Sequence, residues 1–291
     1  MKRMFKSGLI VLVIGLVFVL GGYFFHGKKS VVFHGFKPVI EENIDRTKSS
    51  YQFDKIKLRL TDTNVRIEQG SEYAVHYHGR SDMRPQLKEQ NGELTLTGTV
   101  SETKHGMLIG NDLGEPRITI TVPKGKNLKK LQVQTSGGDF QIRGIAAKKV
   151  DLNLDDSDEA YLNRVDFGGG QIKLNDTDFS VVNKSVFKQV AVKAYDTDWD
   201  ISSMTVNGGS AYLDDGDFTA HNLTVKQKYQ VTNSEDSNVV TNAKADGFVL
   251  KGGKHNSLYG KTDSDYLEKN PQAKNVLKLR ILSSDGSNVI K

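Results

Sequence analysis

Four aspartate pairs of the form Asp-x-Asp are the residues of this chain best suited to chemistry: Asp156 and Asp158, Asp176 and Asp178, Asp196 and Asp198, and Asp215 and Asp217. Carboxylates gathered in this way can hold hard cations such as Ca²⁺, which takes about six to eight oxygens. Paired carboxyls can also supply the acid and base of a glycan-cleaving site. A third use is structural, because aspartate caps its own backbone and tolerates turn geometry. The four pairs are near-copies, whereas catalysis needs one irregular place where two pKa values are pushed apart. Repetition therefore weighs against an enzyme. The Gly-Gly-x-Gly-x-Asp repeat of calcium-loaded rolls is also absent, so a turn role comes first and a cation ladder over these eight aspartates second.

His76 and His78 stand two apart on an expected strand and face one side, which makes a metal pair conceivable. A lone His-x-His is a weak motif. The chain has no cysteine, which removes disulfides, thiol catalysis and thiolate metal sites. It shows no Gly-rich phosphate loop before a helix, no serine nucleophile motif and no nucleic-acid module. No cofactor is expected.

The elements that position the aspartates can be read from a repeat over residues 131–260. Asp139, Asp158, Asp178, Asp198, Asp217 and Asp236 follow one another at intervals of 19, 20, 20, 19 and 19 residues. A fixed period of this size marks stacked repeats. Six residues before each aspartate stand Val133, Leu152, Ile172, Val192 and Ala211; one after it stand Phe140, Glu159, Phe179, Trp199, Phe218 and Ser237. Three after it stand Ile142, Tyr161, Val181, Ile201, Ala220 and Val239. The predicted architecture is all-β, a single-stranded parallel β-helix with 19–20 residues per coil. Neighbouring coils sit about 4.8 Å apart and like side chains stack into internal ladders. The aromatic column is expected to be a core stack, with an exposed sugar-stacking strip as its alternative. An antiparallel sandwich would also give short strands, but no reason for one aspartate to recur at this interval.

Period-two alternation begins near Tyr51, in Ile56, Leu58 and Leu60, and returns in Ile118, Ile120 and Val122. Residues 61–67 resemble a degenerate first copy, and 72–117 interrupt the repeat with polar loops. Phe248 and Leu250 begin another coil, an insertion fills 261–275, and Leu277, Leu279 and Ile281 lead into a coil over 276–291 that is expected to close the stack. The solenoid domain is thus placed at 51–291.

Lys2, Arg3 and Lys6 precede an uncharged run from Gly8 to Phe25. As a helix its 18 residues would measure about 27 Å, near the thickness of a bilayer's hydrocarbon core. No small-x-small cleavage site follows it, so the expectation is an uncleaved single-pass anchor over 8–25, with residues 1–7 as a cytoplasmic basic tip. Residues 26–50 read as a tether. The short basic end inside places the remainder outside the cytoplasm. The net charge of +5 is uneven: 131–250 carries 18 acidic against 11 basic residues, a net of −7. Lys124, Lys126, Lys129 and Lys130 lie outside that acidic stretch and suit an anionic lipid surface or wall polymer, or simply solvent.

The anchor, the alternating β-repeats and the Gly-Asp-Phe-Gln-Ile phrase at 138–142 together resemble a bacterial family of unknown function, known as "putative adhesin", β-strand-repeat or toast-rack domains. It includes the LiaG-like membrane-anchored proteins of Gram-positive envelope-stress operons. The resemblance covers about residues 50–291. It implies a right-handed β-helix facing the cell wall, linked to sensing or coping with envelope damage, and it supplies no catalytic residue. The expected role is a non-enzymatic interaction or scaffold module whose partners are envelope-stress membrane proteins or anionic wall polymer. Adhesion to glycan or matrix is the second reading and glycan cleavage the third.

Overall fold

The computed structural model of the chain describes residues 2–24, 30–34, 37–41, 43–49, 51–81, 83–98, 108–109 and 115–291. One helix, α1 (Lys2–Phe24), precedes strands that stack into a long parallel sheet. One coil shows the logic. Its first side, Val150–Asp155, points Val150, Leu152 and Leu154 inward, all at most 1 % exposed. Asp156 then turns the chain with a φ of 53°. The second side buries Ala160 and Leu162, Arg164 turns again with φ 53°, and the third side buries Val165 and Phe167. Gly168–Gly170 completes the coil. At Gly170, φ is 124° and a Cβ would lie 1.9 Å from the carbonyl oxygen of Val150, so only glycine lets the chain pass this close to the coil below.

Successive coils repeat this path in register. On the first side, Leu58, Val133, Leu152, Ile172, Val192, Ala211, Val231 and Leu279 pair in turn across parallel strands. On the second side, Phe179 stacks on Trp199 at 5.3 Å and Trp199 on Phe218 at 5.2 Å. All three are buried. The aromatic column is therefore core and not an exposed strip, and parallel pairing throughout the body excludes the antiparallel sandwich.

Two positions of that column differ from expectation. Ala160, not Glu159, pairs with Phe140 and Phe179, because a bulge between Ser157 and Glu159 shifts the register. The extra residue is absorbed at the corner, so an alanine enters the core and a carboxylate does not. In the same way Asn238, not Ser237, pairs with Phe218, and Leu162 and Val240 take the places expected of Tyr161 and Val239.

The ends correct the sequence reading more deeply. Val276–Ile281 pairs with Tyr229–Asn233 on one side and Gly247–Lys251 on the other. Ser287–Ile290 likewise lies between Asn238–Thr241 and His255–Leu258. The coil of 276–291 does not close the stack; it slots between two earlier ones. The outer layer is 247–258, and it is capped by antiparallel strands Lys261–Asp263 and Tyr266–Lys269 from the inserted segment. The N-terminal end mirrors this arrangement. The coil of 55–70 lies between 128–143 and an outer layer of Glu93–Thr97 and Arg117–Pro123. Gln86–Gln90, Ala74–Arg80 and Asn43–Ser49 cover that layer with antiparallel pairings. Among the described residues, antiparallel strands cover the outer parallel layers at both ends, which blunts the edges that could recruit another chain.

The tether expected over 26–50 is also corrected. Asn43–Ser49 belongs to the sheet, and Ser30–His34 pairs with Lys37–Glu41 and Leu108–Ile109. Asn43–Ser49 is an edge strand, mostly exposed, so it carries no apolar alternation to announce it. Among the described residues no helix is long and apolar enough to cross a membrane. In α1 the uninterrupted described side chains run from Gly8 to Phe18, about 17 Å of helix. Part of the expected 8–25 span, including Phe25, lies outside the described residues. The described large apolar side chains between Leu9 and Leu20 are 49–76 % exposed.

The corner geometry makes a direct prediction. Asp176 has φ 48°, a conformation that costs an ordinary L-residue about 1–2 kcal/mol. Asp176→Ala is expected to lower unfolding stability by about 1 kcal/mol, while Asp176→Asn or Asp176→Gly lowers it little. Denaturant melts of the three variants will show whether the residue is kept for its backbone.

Candidate functional site

The aspartates gather on one corner of the solenoid as two columns, except that Asp158 is the bulged residue and Glu159 takes its place opposite Asp178. Asp156, Asp176, Asp196 and Asp215 hold the left-handed position with φ of 53°, 48°, 48° and 59°, and Asp62 and Gly137 hold it in earlier coils. Two members of the second column cap backbone: Asp198 Oδ1 accepts the Asp217 N–H at 2.8 Å and Asp217 Oδ1 accepts the Ser237 N–H at 3.0 Å. One coil earlier than the repeat proper, Asn64 Oδ1 does the same for the Asp139 N–H at 2.7 Å. In three of the four pairs the residue between the aspartates, which sequence reasoning passed over, is a buried hydroxyl, Ser157, Thr177 or Thr197; in the fourth it is Gly216. Thr177 and Thr197 point inward and donate to the carbonyls of Asn175 and Tyr195 at 3.0 and 2.8 Å. The two Asp-Thr-Asp phrases, at 176–178 and 196–198, were the signal, and they describe a turn. Among the described residues no group of three or more His, Asp or Glu side chains is arranged to hold a metal ion.

The corner nevertheless presents uncompensated negative charge. Asp236, then burial, then Asp196 push the Asp215 carboxyl above its ordinary pKa. Burial, then Asp198 and Asp178, push Asp200 up, with His221 opposing. His76 and His78 lie away from this corner and converge on Asp45 of the edge strand, at 3.5 and 3.3 Å, while Thr47 Oγ1 lies 2.7 Å from His76 Nδ1. They tie that strand to the sheet.

Two clefts at the N-terminal end are the concave features that the sequence did not reveal. Both are lined by Tyr51, which is 5 % exposed and whose hydroxyl, itself buried, has no hydrogen-bond partner among the described residues. The first, about 550 Å³, gathers Tyr51, Phe53 and Tyr73 with Gln52, Asp54 and Glu72. Asp54 is bound to Lys129 at 2.5 Å, and that contact holds its carboxyl below the usual range. It stays ionised and has no proton to give. Phe53 and Tyr73 pack against each other with ring centroids 4.7 Å apart. The second, about 530 Å³, has an apolar floor and a basic rim.

The charge at the corner can be tested through Asp215. Its raised pKa means that the folded state favours the neutral carboxyl. Charging it above about pH 4 therefore costs stability, and that stability returns as pH falls through the folded pKa. Asp215→Asn keeps the left-handed turn and removes the charge. It is expected to raise the melting midpoint at pH 7 in low salt, with the gain shrinking in high salt and vanishing near pH 3.

The comparisons with known proteins come from structures and from a family model; no curated protein sequence matches. A protein described as a "putative adhesin" from Bacteroides fragilis is 13 % identical, aligned over 86 % of this chain and 97 % of its own, with a TM-score of 0.46. Another so described, from Parabacteroides distasonis, is 9 % identical over 85 % and 97 %, with a TM-score of 0.44. A "putative lipid binding protein" from the same species is 10 % identical over 86 % and 97 %, with a TM-score of 0.43. The family model named Toastrack DUF4097 matches residues 53–287, from the start of the first coil through the slotted terminal one, and the chain belongs to that family.

Proposed function

We propose that this is a single-pass, membrane-anchored protein whose solenoid stands outside the cytoplasm as a non-catalytic interaction and scaffold module of the envelope-stress response in a Gram-positive cell. The observation that carries the reading is the exposure of the apolar side chains of α1 between Leu9 and Leu20. A helix apolar on all faces belongs in a core or a bilayer, and the uncharged run of 8–25 supplies the length. The solenoid supports the scaffold role because its coils are regular and antiparallel strands cover its outer layers. Its N-terminal end, which follows the anchor in the chain, carries the two clefts. Lys126 lines the first of them, Lys124 lies two residues away, and both are exposed and suit anionic lipid or wall polymer.

A second reading, adhesion to glycan, is favoured by the first cleft, where aromatic rings sit beside carboxylate and amide groups.

The anchoring reading predicts that the full chain stays in the membrane pellet through an alkaline wash. The pair Ile14→Lys and Val17→Lys should release it with the solenoid intact. In cells lacking the protein, a wall-damage reporter should respond abnormally and be restored by the native chain but not by the doubly substituted one. Release of the native chain by the wash would end the anchor reading, and an unaltered reporter would end the stress role.

A further inference from the structure

The second cleft opens between two antiparallel flaps of the N-terminal cap. One wall is the edge strand Asn43–Ser49, contributing Arg46 and Lys48, and Arg84 enters from the opposite flap. The floor is the edge of the solenoid core: Val75, Tyr77, Leu96 and Ile118 line the cleft while each remains 4 % exposed or less, and the half-buried Leu87 packs against the core beside them. A solenoid whose core simply ended here would close this gap with side chains. Instead about 530 Å³ is left open over buried hydrocarbon, within the size of small-molecule sites.

The rim is as specific as the floor. Among the described residues Arg46, Lys48 and Arg84 form no ion pair. Lys48 Nζ is held 5.0 Å from the centroid of the Tyr51 ring. The buried Tyr51 hydroxyl at the same wall has no partner among the described residues, and an orphaned buried polar group calls for a ligand, a water or a cost. Three unpaired cations over an apolar slot match a molecule with an anionic head and a hydrocarbon tail.

We propose that this cleft binds one anionic membrane phospholipid, its acyl chain over Val75, Leu87, Leu96 and Ile118 and its phosphate at Arg46, Lys48 and Arg84. The site would pin the N-terminal cap against the leaflet from which the chain emerges. The inference rests on the anchored reading for the source of the lipid and on the cleft alone for its chemistry.

The test uses the full chain in detergent micelles with phosphatidylglycerol carrying a photoactivatable acyl chain, and phosphatidylcholine carrying the same chain. After illumination, labelled peptides are mapped by mass spectrometry. The expected result is labelling of the peptides around 75–77, 87 and 96 that is at least about fivefold higher with phosphatidylglycerol. Millimolar inorganic phosphate should leave it unchanged, and the triple variant Arg46→Gln, Lys48→Gln, Arg84→Gln should lose the preference while retaining its melting midpoint. Displacement by inorganic phosphate would make the rim a free-phosphate site and overturn the lipid assignment. Equal labelling by both headgroups, or labelling that the triple variant leaves unchanged, would also overturn it. Labelling of α1 reports separately on the anchor: α1 labelled with the cleft unlabelled sinks this inference alone, whereas the cleft labelled with α1 unlabelled sinks the anchor and keeps the site.

Discussion

The in-register parallel ladder is the constraint on which the rest of this structure depends. Leu152 lies over Val133 and under Ile172 only if each coil returns to the same position after the same three turns. Those turns are made largely by single residues in the left-handed region, and this dictates their chemistry. Aspartate, asparagine and glycine reach that conformation at least cost, which is why Asp176, Asn183 and Gly170 stand where they do. The column of Asp156, Asp176, Asp196 and Asp215 is thus a consequence of geometry, whereas Asp198 and Asp217 of the neighbouring column cap backbone N–H groups. Its charge is a by-product: stacked carboxylates repel, and capped N–H groups such as that of Asp217 offset part of the cost.

The same ladder raises the problem of where to stop. At the C-terminal end the aromatic column gives way to asparagines. Asn238, Asn288 and Asn256 are fully buried. Asn238 Nδ2 donates to Asn288 Oδ1, and Asn288 Nδ2 donates to Asn256 Oδ1, both at 2.8 Å. Buried amides are costly without partners, so these three coils are bound to be neighbours, with Asn288 in the middle. The amide ladder holds the three layers together, and the strand pairings on either side of 276–290 set the order in which they stack.

Much of the body was legible in sequence. The period fixed the coil length, and the apolar columns of Val133 and of Phe140 fixed the inward residues over most of their length. The departures share a physical cause: a period reports what is repeated, not how exceptions are absorbed. The bulge beside Asp158 moved Ala160 into the core because a single extra residue at a corner leaves the period nearly unchanged. The coil of 276–291 reads as last because it is last in sequence, while its spatial neighbours are set by long-range pairing that no local pattern records. Asn43–Ser49 was invisible because an edge strand needs no apolar face. The clefts were hidden for the same reason, since Tyr51, Arg46, Arg84 and Ile118 meet only when two flaps fold over the end of the solenoid.

The proposed function follows from this division: the regular body gives length and rigidity, and the irregular N-terminal cap is proposed to carry the recognition. It stands on the arrangement of the end layers, and hydrogen exchange tests that arrangement most directly. The slotted coils predict that amides of Val276–Ile281 and Lys55–Thr61 exchange as slowly as those of Met204–Asp214 in the body, while Lys261–Asp263 and Gln86–Gln90 exchange fast as outer covers. Rapid exchange across 276–290, with Gly247–Lys251 protected as an interior layer, would place the terminal coil outside after all. The end-layer arrangement would then be wrong.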